Sequence, residues 1–219
     1  MIKKIIIIGS GGHAKVVINE ILKQSKYKIE KIIDIKNFGK KIKIGKKKLI
    51  IANYKKFDWR NINNQTFLFV AVGDNYLRKK IVNEIEKKNK KIKWATLISL
   101  DAIVSNDVKF KPGSLVVSGS IINPGTKIGA HCIINTRSSI DHDNFFDNFS
   151  SCAPGVTTGG NVKVGEFSFL GIRSTVINNI KIGSKTIIGA NSLVTKNCLS
   201  SYIYYGKPAK KIKRIFNLG

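Results

Sequence analysis

Hydrophobic and polar positions follow two different periods along this chain, and the change falls near residue 97. In the first part, strand-sized apolar runs alternate with stretches of helical spacing. Lys4-Ile5-Ile6-Ile7-Ile8 is a buried-strand run that leads into the turn Gly9-Ser10-Gly11-Gly12. From His13 to Lys23, Val16, Val17, Glu20 and Ile21 lie around one stripe of a helix. Lys31 to Asp34 reads as a second strand ending in an acid, Thr66 to Gly73 as another, and Asn75 to Lys90 as a basic helix. This alternation predicts a small parallel sheet with helices on its faces, an α/β Rossmann-like half domain over residues 1–97.

From Ile98 the period is six. Steps of six reach Val104, Phe110, Val116, Ile122, Ile128, Ile134, Ile140, Phe146 and Cys152, then Thr158, Val164, Leu170, Val176, Ile182, Ile188 and Val194. Thr158 alone is not apolar, and no insertion breaks the register. Small residues recur four places later, among them Ser114, Ser120, Thr126, Ser138, Ser150 and Ser168, and glycine often follows the key position. The expected fold is an all-β triangular parallel β-helix over residues 98–199. Each hexad supplies a short strand and a corner, and three hexads close a turn. Residues 200–219 form a closing segment. One such prism leaves faces open, so self-association is expected.

Composition narrows the class. With 42% hydrophobic and 24% charged residues in 219, the chain is of soluble globular type. No apolar run is long enough for membrane insertion, and the run at Ile5–Ile8 ends in a glycine turn unlike a signal peptide. Three cysteines, an odd number without metal-type spacing, point to a reducing, cytoplasmic setting. The net charge of +26 raises nucleic-acid binding, but only five of the 39 basic residues are arginine, and the lysines are scattered among Ile and Asn. No specific nucleic-acid partner is expected. A lysine-rich surface would still attract polyanionic small molecules such as CoA or nucleotide sugars.

Candidate chemistry gathers in two places. His142 stands two residues after Ile140, at a corner, within Asp141-His142-Asp143. An imidazole there suits a general base, with Asp143 or Asp141 orienting the ring, although a solvated surface corner would carry the same residues. Near the N-terminus, Gly9-x-Gly11-x-x-Ala14 followed by Asp34 fits a weak dinucleotide pattern, and His13 begins a helix whose backbone N–H groups favour an anion. Gly73, Asp74, Asn75 and Arg78 follow the next strand, where such sheets bind ligands; Asp74 or Asn75 also suits a helix cap. Cys132, Cys152 and Cys198 fall on inward repeat positions and read as small core residues.

Several blocks together resemble the bacterial hexapeptide-repeat sugar acetyltransferases, the NeuD/PglD-like group of sialic-acid O-acetyltransferases and nucleotide-aminosugar N-acetyltransferases. They are Ile8 to Val17, Ala71 to Lys80, Asn135-Thr136, Ile140 to Asp143 and Gly206-Lys207-Pro208-Ala209-Lys210. The resemblance implies a left-handed β-helix, a homotrimer with active sites between neighbouring helices, and acetyl-CoA as co-substrate with no metal. It implies that His142 is the base, assisted by Asp143. Asn135 lies near the acceptor, and Ser151 stands where many relatives carry a second histidine. His13, Gly11, Gly12, Asp34, Gly73 and Asn75 would hold the acceptor's nucleotide or sugar, and backbone amides of Gly160 and Ala190 the acetyl-CoA arm. The expected reaction is N-acetylation of a nucleotide-linked 4-amino sugar, with O-acetylation of sialic acid or a related sugar close behind. A carbonic-anhydrase-like hydratase would need three histidines, and only His131 and His142 lie in the repeat. A non-catalytic trimeric scaffold is the remaining alternative.

Overall fold

In this computed structural model, residues 2–44 and 47–216 are described. The chain forms two compact units, one through Leu100 and the other from Asp101 onward. The first is built from β1 (Lys3–Ile8), α1 (Gly12–Lys23), β2 (Tyr27–Asp34), β3 (Lys41–Ile44), β4 (Lys47–Ile50), β5 (Ala52–Asn53), β6 (Thr66–Val70), α2 (Asn75–Lys88), β7 (Lys93–Trp94) and β8 (Leu97–Ile98).

Five of these strands make a parallel sheet in the order β5-β2-β1-β6-β7. The run of isoleucines explains why β1 lies in the middle: Ile5 to Ile8 are buried on both faces of the sheet, as a central parallel strand requires. β2 starts four residues earlier than the apolar run suggests, because Tyr27 to Glu30 continue its ladder with β1. The antiparallel hairpin β3–β4 is an addition to the predicted elements; its strands, Lys-Ile-Lys-Ile and Lys-Lys-Leu-Ile, form a separate two-stranded sheet. At the end of β1, Gly9 has φ of +107°, and a Cβ there would lie 2.9 Å from the Ala71 carbonyl oxygen. Only glycine lets the two strand ends approach so closely.

The second unit is the expected prism. Its three faces are stacks of two-residue parallel strands. The first runs from Lys109–Phe110 to Lys181–Ile182, the second from Leu115–Val116 to Ile187–Ile188, and the third from Ile103–Val104 to Leu193–Val194. Within each stack a rung pairs with the residue 18 positions on, as Ile122 does with Ile140 and Ile140 with Thr158. The inward positions from Val116 to Val194 are buried.

Two kinds of glycine shape the corners. Three places after the inward residue the backbone turns through positive φ, at Gly113, Gly119, Gly125 and Gly155 but also at Arg137, Asp143, Arg173 and Asn179. At the Gly119, Arg137 and Arg173 corners a carbonyl-to-amide bond closes the turn in type II fashion, as from Ser120 N to Val117 O at 3.3 Å. Directly after the inward residue a different set is needed: a Cβ at Gly129 would lie 2.7 Å from Asn148 N of the next coil. The small residues four places on do more than save space. Their hydroxyls donate to corner carbonyls, as Ser114 Oγ does to Gly129 O at 2.6 Å and Ser168 Oγ to Gly183 O at 2.6 Å.

The top of the stack is closed by a hairpin of Tyr202–Gly206 and Ala209–Arg214, whose first strand pairs parallel with Ile187–Ile188 and whose second is antiparallel. This places the Gly206-Lys207-Pro208-Ala209 segment at its turn and covers an otherwise open strand edge.

Thr158, the polar exception in the inward series, is 2% exposed and its hydroxyl has no partner. A buried unmade hydroxyl bond costs about 1–3 kcal/mol. Thr158→Val keeps the branched shape and removes that group, so chemical denaturation should show a stability gain of about 1 kcal/mol.

Candidate active site

In the second unit the geometry concentrates at the corner that follows the third face. His142 leaves the coil there with its side chain 59% exposed, and its Nδ1 lies 2.8 Å from Asp143 Oδ2. Asp143 takes the positive-φ position of the corner, φ 57°, which turns its carboxylate back toward the ring. That hydrogen bond is the largest influence on the ring; it outweighs desolvation and, with the charges of Asp141 and Asp143, raises the His142 pKa above its ordinary 6.5. With the carboxylate accepting from Nδ1–H, the lone pair is left on Nε2, the arrangement a general base needs.

Asp141, the other candidate partner, is engaged elsewhere. It accepts from Asn123 Nδ2 at 3.0 Å and from His142 N at 2.8 Å, and these bonds hold its carboxyl below the usual range. Asp141 therefore shapes the corner backbone, and Asp143 orients the ring.

The imidazole rests on the next coil. A Cβ at Gly160 would fall 2.5 Å from both Cε1 and Nε2 of His142, so Gly160, 18 residues on, is the bare shelf beneath the ring. Beside the dyad lies a cavity of about 410 Å³ lined by Gly125, Lys127, Asp143, Asn144, Phe145 and Lys163. Two lysines on its wall make it a basic recess next to the candidate base.

The other predicted residues of this unit sit elsewhere. Asn135 follows the second face, where its Oδ1 accepts from Thr136 N at 2.9 Å. Ser151 lies on that same face in register with Ile133 and is 2% exposed. Ala190 is exposed at the corner after the second face. A single chain thus places His142, Asp143 and Gly160 on one corner and Asn135 and Ala190 on the neighbouring one. His131 is on the third corner, 4% exposed and stacked on Phe149 with ring centroids 4.9 Å apart. Among the described residues no three His, Cys, Asp or Glu side chains gather as a metal set. The three cysteines are buried thiols outside any disulfide, and burial pushes those of Cys152 and Cys198 up, the latter to about 12.

In the first unit, the predicted residues collect at the carboxyl ends of β1 and β6, adjacent strands on either side of which the order reverses. Such a crevice is where open α/β sheets bind ligands. Gly11 and Gly12 are exposed at the start of α1, and a Cβ added to either would meet no atom within 4 Å. His13 lies against Gly73, its Nε2 buried without a partner. Burial and the nearby Arg78 charge lower its pKa to about 4, so at neutral pH it is an uncharged imidazole.

Arg78 is the residue whose weight the sequence does not reveal. It is 1% exposed and donates to Val72 O at 2.8 Å, Gly73 O at 3.0 Å and Asn75 Oδ1 at 2.6 Å. Asn75 therefore serves Arg78, and Asp74 is the helix cap, accepting from Leu77 N at 2.7 Å. Asp34 likewise serves its own chain. Its oxygens accept from Ser10 N at 2.8 Å, Ser10 Oγ at 2.7 Å, Lys36 N at 2.7 Å and Asn37 N at 3.1 Å. Burial opposes its charge, but these bonds prevail and hold its pKa below the ordinary value. Four bonds fill the acceptor sites of a carboxylate, so Asp34 fixes the glycine turn.

Comparison with known proteins accords with both halves. Residues 4–85 match the family model described as the PglD N-terminal domain. A solved structure of a histidine-to-alanine variant of GDP-perosamine N-acetyltransferase from Caulobacter crescentus, in complex with CoA and GDP-perosamine, shares 31% identity over 97% of this chain and 98% of its own, with a TM-score of 0.88. The chain belongs to the PglD-type hexapeptide-repeat sugar acetyltransferases. PerB from the same organism, solved with the same two ligands, is 32% identical over 97% of this chain and 99% of its own, with a TM-score of 0.86. The acetyltransferase domain of PglB from Neisseria gonorrhoeae, in complex with acetyl coenzyme A, is 26% identical over 97% and 100%, with a TM-score of 0.86. The protein is accordingly an acyltransferase, and its prism is the left-handed parallel β-helix of this family. Among the described residues no helix is long and apolar enough to cross a membrane.

Proposed function

We propose that this protein transfers the acetyl group of acetyl-CoA to the amine of a nucleotide-linked 4-amino sugar, with His142 as general base. The observation that carries this reading is the exposed His142–Asp143 pair, 2.8 Å apart, seated on the Gly160 shelf of a sugar-acetyltransferase β-helix. The acceptor nitrogen attacks the thioester carbonyl carbon, forming the C–N bond as the C–S bond breaks. Its proton passes to His142 Nε2, and the CoA sulfur leaves and is protonated to the thiol. Asp143 holds the ring and stabilises the imidazolium formed. The relatives named for GDP-perosamine N-acetylation and solved with CoA support both the amino-sugar acceptor and the co-substrate.

The nucleotide of the acceptor is assigned to the crevice of the first unit. The N–H groups at the start of α1 face its phosphates across the bare Gly11 and Gly12, and neutral His13 offers an imidazole without added charge. Asp34, Asn75 and Arg78 hold the crevice walls. We assign Gly160 and Ala190 to the acetyl-CoA arm through their backbone amides. Since they occupy different corners, a homotrimer in which neighbouring chains each supply one corner completes the site. Three buried thiols accord with residence in the cytoplasm.

The test is release of CoA thiol with acetyl-CoA against a panel of UDP-, GDP- and dTDP-linked amino sugars and free sialic acids. Turnover with a nucleotide 4-amino sugar above all others is expected, and turnover with sialic acids alone would overturn the assignment. The pH profile supplies a second expectation. His142 must be unprotonated to act, so kcat/KM should rise with pH through a value above 6.5. Asp143→Asn removes the interaction that raises that pKa, so the limb should move to lower pH while the maximal rate falls.

A further inference from the structure

We infer that Asn144 is the positioning residue that fixes the His142 corner to the coil beneath its ring. This inference rests on the assignment of His142 as base. Asn144 occupies the fourth place after Ile140, where many hexads carry a hydroxyl or thiol, as at Ser114, Thr126, Cys132 and Ser138, and others an apolar residue, as at Val156 and Val162. It is 1% exposed. Its Nδ2 lies 2.8 Å from Asp141 O, 3.1 Å from His142 O and 2.9 Å from Gly159 O. Three carbonyls around one end of the amide fix which end is nitrogen.

The first and third of these bonds reproduce what a hydroxyl does at other corners. Ser138 Oγ, for example, donates to Asn135 O at 2.8 Å and lies 3.3 Å from Ala153 O. The second bond is closer than its counterparts elsewhere: the carbonyl equivalent to that of His142 is 3.4 Å from the Thr186 hydroxyl, 3.7 Å from the Cys198 thiol and 3.9 Å from the Cys132 thiol. A hydroxyl has one proton to give and an amide has two. Asn144 thus ties the carbonyl of His142 itself and the carbonyl next to Gly160 into a single buried group. The backbone that carries the base and the shelf that supports its ring are held at one separation.

This arrangement has a cost. The Oδ1 of Asn144 is buried with no partner, as is the hydroxyl of Ser174 at the same place of another hexad. Equivalent corners carry serine, threonine or cysteine, or the apolar Val108, Val156, Val162 and Ile180, and the one asparagine of the series falls at the corner of His142. Asn161 N also reaches His142 O at 2.9 Å, a coil-to-coil bond of the kind found at other corners, so Asn144 supplies orientation beyond that common support.

The test replaces Asn144 by serine and by cysteine, both of which the fold already accommodates at this place. Each variant should keep its melting temperature within a few degrees and its acetyl-CoA KM within about twofold, while kcat falls about tenfold or more through loss of ring placement. The acid limb of the pH profile should move toward the ordinary histidine value as the ring parts from Asp143. Ser150→Ala, which removes a comparable hydroxyl bond to Asp147 O at the adjoining corner, should change stability with kcat retained. Wild-type kcat and an unmoved pH limb in either folded Asn144 variant would overturn the inference. If His142→Ala itself retains full activity, the base assignment fails and this inference fails with it. An inactive His142→Ala beside a fully active Asn144→Ser refutes the positioning role alone.

Discussion

Replacing His142 by alanine should reduce acetyl transfer by about 10²- to 10⁴-fold, the usual contribution of a positioned general base. The protein should otherwise be unchanged. The imidazole is 59% exposed and bonds only to the neighbouring Asp143 side chain, so no core contact is lost. Exposed substitutions of this kind stay within about 0.5 kcal/mol in stability. Steady-state thiol release, read beside thermal unfolding and acetyl-CoA binding, checks all three quantities. Near-normal turnover on the best acceptor would remove His142 from the mechanism. Equal loss of acetyl-CoA binding would mean that the ring acts in holding the co-substrate.

Gly160→Ala should produce the second large effect without touching a titratable group. Its backbone φ is not in the left-handed region, so alanine meets no conformational penalty there. The added Cβ would fall 2.5 Å from two ring atoms of His142, and the ring must tilt away. A displacement of about 1 Å at a reacting group costs about 10²-fold in rate. Because the backbone N–H of residue 160 survives, KM for acetyl-CoA should hold while kcat falls. Loss confined to KM would instead mean that the added methyl obstructs the acetyl-CoA arm and that Gly160 does not act as a shelf for the ring. Gly171→Ala provides the contrast: its Cβ would meet Ile188 O at 2.6 Å and Ala190 N at 2.7 Å, both backbone. That clash cannot be relieved by a side-chain swing, so the expected loss is about 1–3 kcal/mol of stability.

The β-helix is legible in the sequence because its period is local. Each inward residue from Val116 to Val194 is buried where the step of six places it, and Cys132 and Cys152 are buried at small-residue and inward positions. The parallel sheet is legible for the same reason, since Ile5 to Ile8 and Phe67 to Val70 carry continuous apolar runs. The hairpin Lys41–Ile44 with Lys47–Ile50 is not; four-residue strands that are half lysine have too few apolar positions to stand out from the lysine-rich loops around them. The candidate base and its partner are visible as Asp141-His142-Asp143, but the division of labour between the two acids is not. It follows from the positive φ of Asp143 and from Asn123 reaching Asp141 across a coil.

Asn144 does carry a signal in the sequence, as the one asparagine in a column of serine, threonine, cysteine and small apolar residues broken by Ile180. Arg78 and Asp34 carry none. As base and acid beside a glycine turn they resemble ligand groups, and only the folded chain shows Arg78 buried on Val72, Gly73 and Asn75 and Asp34 filled by Ser10, Lys36 and Asn37.

By itself, then, the sequence determined the two units, the inward stack and the residue types at the candidate base, since side-chain period and corner chemistry act over a few neighbouring residues. Only the tertiary structure decided that Gly160 lies under His142, that Asn144 binds their two coils, and that Asn135 and Ala190 stand on a different corner. Those relations depend on how the coils close and stack, where residues 18 positions apart become neighbours.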